Sequence, residues 1–289
     1  GTVTGVQTCA LPIFSLADAA EELGVHYMTA YRYVRTGRMY ATKRGGKWWV
    51  DQRDVDAVRE EGTGIRSSPG EPRALLVEPF SQRLIAGDVG GCWDLVTDAL
   101  RGGATPAEVH ERLLTPAMVA VGERWAAGEI TIAAEHRATA TANRLIGQLG
   151  PLFRHPGRRR GSVLIGAVAG DPHSIPSAML SDLLTDRHFN VVDLGANTPA
   201  ESFIEVARET DDLVGIGVCV TLERRLDVAA ETVAEIRAAL PDALLVVGGA
   251  AATADPGRFA DLADAVTASG KQACDAFESL RPSSPGERA

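Results

Sequence analysis

Between residues 163 and 280 the chain alternates short, largely apolar runs with stretches of helical length, and this alternation limits the fold more than any other feature. The apolar runs lie at 163–168, 191–194, 214–220 and 244–247, with a weaker one at 265–268. Helical stretches lie near 177–185, 200–209, 228–239, 256–262 and 272–280. A strand apolar on both faces must be covered on both, and a parallel neighbour needs a crossover of about a dozen residues, which a helix supplies. The pattern predicts a flavodoxin-like, doubly wound parallel sheet: a Rossmann-like domain at 160–280.

The remainder carries no such alternation. Residues 77–155 show only helical periodicity: Leu84, Ile85 and Val89 fall on one helix, Trp93, Val96 and Leu100 on the next. Thr105-Pro-Ala-Glu108 combines a capping box with proline at the first helical position, and starts a longer helix reaching Trp125 with a kink at Pro116. A last helix runs from about 131 to 149, which completes a four-helix bundle. Nearer the start, Ser15 is the expected N-cap of a helix stopped by Gly24, and a second helix spans 27–36 and is closed by Gly37. Gly45-Gly46 joins 41–44 to 47–50 in a hairpin, and Asp51 caps a helix through 59. Two short helices and a wing predict a winged helix-turn-helix at 15–62. Residues 63–76 read as a linker and 281–289 as a disordered tail. Residues 1–14, without a charge or a Met, resemble translated sequencing-adapter read-through; they are set aside, with Cys9, as a non-native leader. The expected whole is a multidomain α and α/β chain.

Charge narrows the classes of function. A net charge of -9 excludes charge-driven coating of nucleic acid or of an anionic membrane. The basic residues are nevertheless clustered: Arg32, Arg35, Arg38, Lys43, Arg44 and Lys47 lie in a span free of Asp and Glu. Residues 15–66 carry a net +1, which leaves -10 for 67–289. No apolar run approaches the roughly 20 residues of a bilayer span, so no membrane partner is expected. Cys9, Cys92, Cys219 and Cys274 lack metal-type spacing, which suits reduced thiols in the cytoplasm.

The loop Ala169-Gly-Asp-Pro-His-Ser-Ile-Pro176 follows the first predicted strand, where open α/β sheets place ligands. A histidine beside an aspartate suits metal ligation, because the carboxylate fixes the tautomer. A lone loop histidine is more often plain surface, and distant spacing separates the two readings. Asp171-x-His173 and Pro176 are followed, across 42 intervening residues, by Cys219-Val-Thr221, and across 26 more by Gly248-Gly249. This resembles the cobalamin-binding domain of methionine synthase, mutases and corrinoid proteins, with its D-x-H-x-x-G, S-x-L or S-x-T, and G-G. The resemblance implies cobalamin, with His173 as lower axial cobalt ligand displacing a dimethylbenzimidazole tail. Asp171, Ser174, Cys219, Thr221, Gly248 and Gly249 would complete the cradle, Thr221 by hydrogen bonding the tail. Pro176 stands where the family has Gly, and Cys219 where Ser is usual; Cys219 is read as a packing residue.

Two further stretches carry resemblances. In VGERWAAGEITIAAEHRAT, Trp125 and Glu135-His136 repeat the W-x9-E-H motif of CarH-type light-dependent repressors that use adenosylcobalamin. That implies Trp125 and Glu135 around the adenosyl group with His136 nearby; the bland alternative is a core aromatic and a helix-capping pair. Ala126 stands where such sensors can carry a histidine, so a photoproduct with two histidine ligands cannot form in the same way. GVHYMTAYRYVRTGRM resembles excisionase and MerR-type helix-turn-helices, which implies Tyr27, Thr29, Arg32 and Arg35 at base edges or phosphates, and Lys43, Arg44 and Lys47 on backbone. Trp48 and Trp49 point to opposite faces of their strand, so one is expected in the core.

The expectation is a cobalamin-dependent, light-responsive transcriptional regulator and not an enzyme. It would bind double-stranded operator DNA as a homo-oligomer, dimer or tetramer, whose assembly follows ligand state. The alternatives are a corrinoid methyl carrier of a methyltransferase system, or a regulator sensing a different tetrapyrrole.

Overall fold

The computed structural model describes residues 13–35, 39–62 and 76–279. The expected leader up to residue 12, the Gly37 stop, Arg38, the linker at 63–75 and the tail lie outside them. The chain divides into two compact units, Gly1–Leu76 with Trp93–Val109, and Val77–Cys92 with His110–Ala289.

The first unit begins with β1 (Ile13–Ser15), α1 (Leu16–Glu22), α2 (Tyr27–Arg35), β2 (Ala41–Arg44), β3 (Lys47–Asp51) and α3 (Gln52–Gly62). The expected boundary at 15 moves to 13, because Phe14 pairs with Val50 in an antiparallel sheet ordered β1-β3-β2. Three residues are too few to show alternation, so only the pairing reveals this strand. Ser15 caps α1 reciprocally: its hydroxyl accepts from the Asp18 N–H while the Asp18 carboxylate accepts from its own N–H, both at 3.2 Å. Arg44 pairs with Lys47, so Gly45 and Gly46, at φ +57° and +80°, form a two-residue turn that requires left-handed backbone at both positions. Leu16, Ala19, Ala30, Met39, Val50 and Val55 form the core, and Trp48 is the tryptophan packed on it. Buried Asp54 takes the Arg101 guanidinium through both oxygens, at 3.0 and 3.2 Å.

The helical region contains α4 (Val77–Ala86), α5 (Val89–Arg101), α6 (Pro106–Val109), α7 (Thr115–Ala126) and α8 (Ile132–Leu149). Thr105 and Glu108 form the expected capping box. A π-helical turn, His110–Leu114, separates α6 from α7. Pro116 therefore lies in the first turn of α7 rather than at a mid-helix kink; the widened turn absorbs its missing N–H and its ring. Within the second unit, the Ser81 hydroxyl donates to the Ala117 carbonyl and Arg137 to that of Ile85, which ties α4 to α7 and α8.

The α/β region comprises β4 (Ser162–Ala167), α9 (Ile175–Asp186), β5 (Asn190–Asp193), α10 (Ala200–Glu209), β6 (Leu213–Cys219), α11 (Leu226–Ala239), β7 (Leu244–Gly248), α12 (Ala250–Ala254), β8 (Ala265–Thr267) and α13 (Gly270–Ser279). The helix expected at 256–262 is a 3-10 turn, Pro256–Phe259. All strands are parallel, in the order β5-β4-β6-β7-β8. Every residue of β4 is buried, as a central strand covered on both faces requires. From β4 the chain turns outward to β5, and from β6 it turns the other way to β7. The loops after β4 and β6 therefore part at this switch point and open a crevice at the carboxyl edge. Among the described residues no helix is long and apolar enough to cross a membrane.

Candidate functional site

Asp171 sits in the β4 loop with no exposure, at the crevice. Its carboxylate accepts from the Thr221 N–H at 2.6 Å, the Thr221 hydroxyl at 2.9 Å, the His173 N–H at 3.2 Å and His173 Nδ1 at 2.8 Å. Burial alone would raise this carboxyl's pKa, but the bonds from His173 and Thr221 hold it down at about 2. His173 is half exposed, at 50% of its side chain. The bond to Asp171 raises the pKa of the imidazole against its partial burial, and the charges of Asp171 and Glu135 add to the rise. With Nδ1–H on Asp171, the lone pair lies on Nε2, which is the tautomer a metal requires.

The Thr221 hydroxyl donates to Asp171 and also lies 2.8 Å from His173 Nδ1. The loop is braced by two residues that the sequence did not single out. The Asn197 side chain accepts from the Gly170 N–H at 2.6 Å while its own N–H reaches the Asp171 carbonyl, and Arg225 donates to the Gly170 carbonyl at 3.2 Å. No periodicity marks either residue; Asn197 stands out only by its φ of +56°. Pro176 falls in the first turn of α9, where an N–H has no helical partner, so its substitution for Gly costs the loop no hydrogen bond. Ser174 precedes that helix, and its carbonyl accepts from the Ala178 N–H and the Ser177 hydroxyl. Gly249, at φ +102°, passes so close to the Val220 backbone that a Cβ would collide with it, whereas a Cβ at Gly248 would meet the Thr267 hydroxyl at 3.3 Å, a tight contact that the side chain would have to relieve. The glycine at 249 thus has a reason internal to the fold. Burial and the charges of Asp171 and Asp193 push the Cys219 thiol up to about 12, in keeping with a packing residue.

On the helical side, Trp125 ends α7 at 49% exposure and is not a core aromatic. Glu135, in the first turn of α8, accepts from the Thr139 hydroxyl at 2.8 Å, and His136 beside it is 70% exposed. The charge of Glu135 contributes to the raised pKa of His173.

In the first unit, Tyr27, Arg32, Lys43, Arg44 and Lys47 are exposed and Thr29 is partly buried. The Arg35 side chain lies outside the described residues. The Lys43 ammonium lies 5.8 Å from the Trp48 ring centroid.

The donor set fits a metal held in a macrocycle. Among the described residues no group of three or more His, Cys, Asp or Glu can hold an ion, so a metal taken by His173 has to arrive with its remaining ligands. Residues 161–278 match the family model described as B12 binding domain, 76–149 match a second model of that description, and 13–63 match that of a helix-turn-helix domain. The chain thus combines a cobalamin-binding fold with a helix-turn-helix domain.

Among curated proteins it is similar to the trimethylamine corrinoid protein of Methanosarcina barkeri, 31% identical over 119 residues, which are 40% of this chain and 55% of that protein. The dimethylamine corrinoid protein of the same organism is 30% identical over 129 residues, 44% of this chain and 61% of that one. The chain spans little more than half the length of these relatives. Among solved structures, the M. barkeri monomethylamine corrinoid protein superposes with a TM-score of 0.59 at 19% identity, over 70% of this chain and 97% of that one, and so shares the fold.

Proposed function

We propose that this protein is a cobalamin-dependent transcriptional regulator of the cytoplasm, without catalytic activity of its own. The observation that carries this reading is the joining, in one chain, of an exposed basic helix and wing to a crevice whose histidine is fixed on a buried carboxylate. His173 would hold the cobalt of adenosylcobalamin, and Trp125, Glu135 and His136 would line the adenosyl group. Cobalamin supplies a cobalt–carbon bond that light can break. With Ala126 beside Trp125, either His136 on α8 or water would take the place of an imidazole next to the tryptophan, or cobalamin would be sensed without that photochemical step. Two recognition helices carried by a homo-oligomer read two half-sites, which raises operator affinity by effective concentration.

The test is an absorption spectrum after incubation with adenosylcobalamin in the dark and gel filtration, with His173→Ala as control. Bound colour in the unaltered chain alone supports the cobalamin site. A change of elution volume and of duplex binding after illumination supports light control. If both proteins emerge colourless, the cobalamin reading falls.

A second reading, a corrinoid methyl carrier, is favoured by the similarity to corrinoid proteins at 30–31% identity. Methyl transfer from the methylcobalamin-loaded chain to a thiol acceptor, with no duplex retained at low salt, would support it over the regulator.

A further inference from the structure

The N-terminal turn of α2 carries apolar surface where a DNA reader presents its base-contacting side chains. Met28 is 59% exposed and Tyr27 43%. Ala30 is buried and Val34 packs on the core, so the opposite face of the helix is the anchored one. Met28 and Arg32 are four residues apart and share the outer face. A single exposed apolar side chain is ordinary. What distinguishes this one is its setting. The Tyr27 ring stacks parallel to Tyr31, with centroids 6.5 Å apart, and Tyr31 meets Trp48 edge-on at 6.4 Å. This ladder runs from the wing strand β3 to the first turn of α2 and stiffens the rim beside Met28. The Met28 N–H is taken by His26 Nδ1 at 3.3 Å, so the backbone there is occupied as well.

We propose that Met28, flanked by Tyr27, reads the 5-methyl group of a thymine in the major groove, and so sets operator preference at one position of each half-site. The inference rests on the DNA-binding reading above. In helix-turn-helix proteins the N-terminal residues of the second helix reach base edges. A thioether cannot match a pattern of donors and acceptors, and the apolar group displayed on the groove floor is the thymine methyl. Arg32, on the next turn, and Lys43, Arg44 and Lys47 on the wing provide the positive charge that holds phosphates around such a contact.

The experiment selects duplexes from a random-sequence library with the full chain, then replaces each thymine of the most enriched duplex in turn by deoxyuridine. At one position per half-site, loss of the methyl weakens binding by the unaltered chain about fourfold, the weight of one buried methyl group. Met28→Ala weakens binding to the thymine duplex by a similar factor and no longer distinguishes thymine from uracil there, while Met28→Leu keeps the distinction. If deoxyuridine costs the unaltered chain and Met28→Ala equally at every position, or costs neither anything, the proposal is overturned while DNA binding stands. If the library yields no retained duplex, both the proposal and the DNA-binding reading are lost.

Discussion

Asp171 bears the cost of the site. A fully buried carboxylate is expensive unless donors surround it, and here Thr221 and His173 supply them from a loop 50 residues away and from two residues on. The carboxylate in turn orients the imidazole, so a change at Asp171 should act through His173. Asp171→Asn is expected to weaken cobalamin binding about 10- to 100-fold, read by spectral titration, while His173→Ala abolishes it. Cys219 gives a prediction of opposite character. Because burial raises its pKa to about 12, the thiol is protonated at pH 8. Iodoacetamide labelling followed by peptide mapping should find Cys219 alkylated far more slowly than a free peptide thiol, and faster only as the pH climbs towards that value. Rapid labelling at pH 8 would contradict the packing role.

Elements place these residues, and two of them are open to direct test. The wing is held by Gly45 and Gly46 in left-handed backbone, which directs Lys43 and Lys47 into solvent. Each lysine that neutralises a phosphate releases a counterion, so Lys43→Ala should reduce the slope of log affinity against log salt by about one unit. An unchanged slope would remove Lys43 from the interface. In α9, Pro176 pre-sets the first turn and restrains the unfolded chain. Pro176→Gly is therefore expected to lower stability in urea by about 0.4–1 kcal/mol with no loss of cobalamin affinity. The wing was legible in the sequence, because a glycine pair is a local signal, whereas α9, expected from 177, begins at Ile175. β1 and the π-helical turn were not legible: the first exists through its pairing with β3, the second through the way a proline is accommodated three-dimensionally.

At the scale of the whole molecule, charge is segregated: net +1 over residues 15–66 and -10 over 67–289. On the proposed regulator reading, this segregation favours approach to DNA through the N-terminal domain alone. Two compact units also mean that unfolding need not be a single transition. A ligand bound to His173 stabilises the unit that holds it. Cobalamin at a hundred times its Kd should add about 2.7 kcal/mol to that unfolding step, and His173→Ala should remove the increment, as calorimetry can read. An equal rise in the variant would place the ligand elsewhere.

By itself the sequence determined the class of the α/β region, the caps of α1 and α6, the glycine turn of the wing and the positions of Asp171 and His173. These are written in periodicity, in spacing and in short-range hydrogen bonding. The tertiary structure alone decided that Thr221 serves Asp171, that Gly249 yields to the Val220 backbone, and that Asn197 and Arg225 brace the loop. Each of these depends on the reversal of strand order between β4 and β6, which brings together loops far apart in the chain. Contacts made by topology leave no periodic trace along the residues that make them.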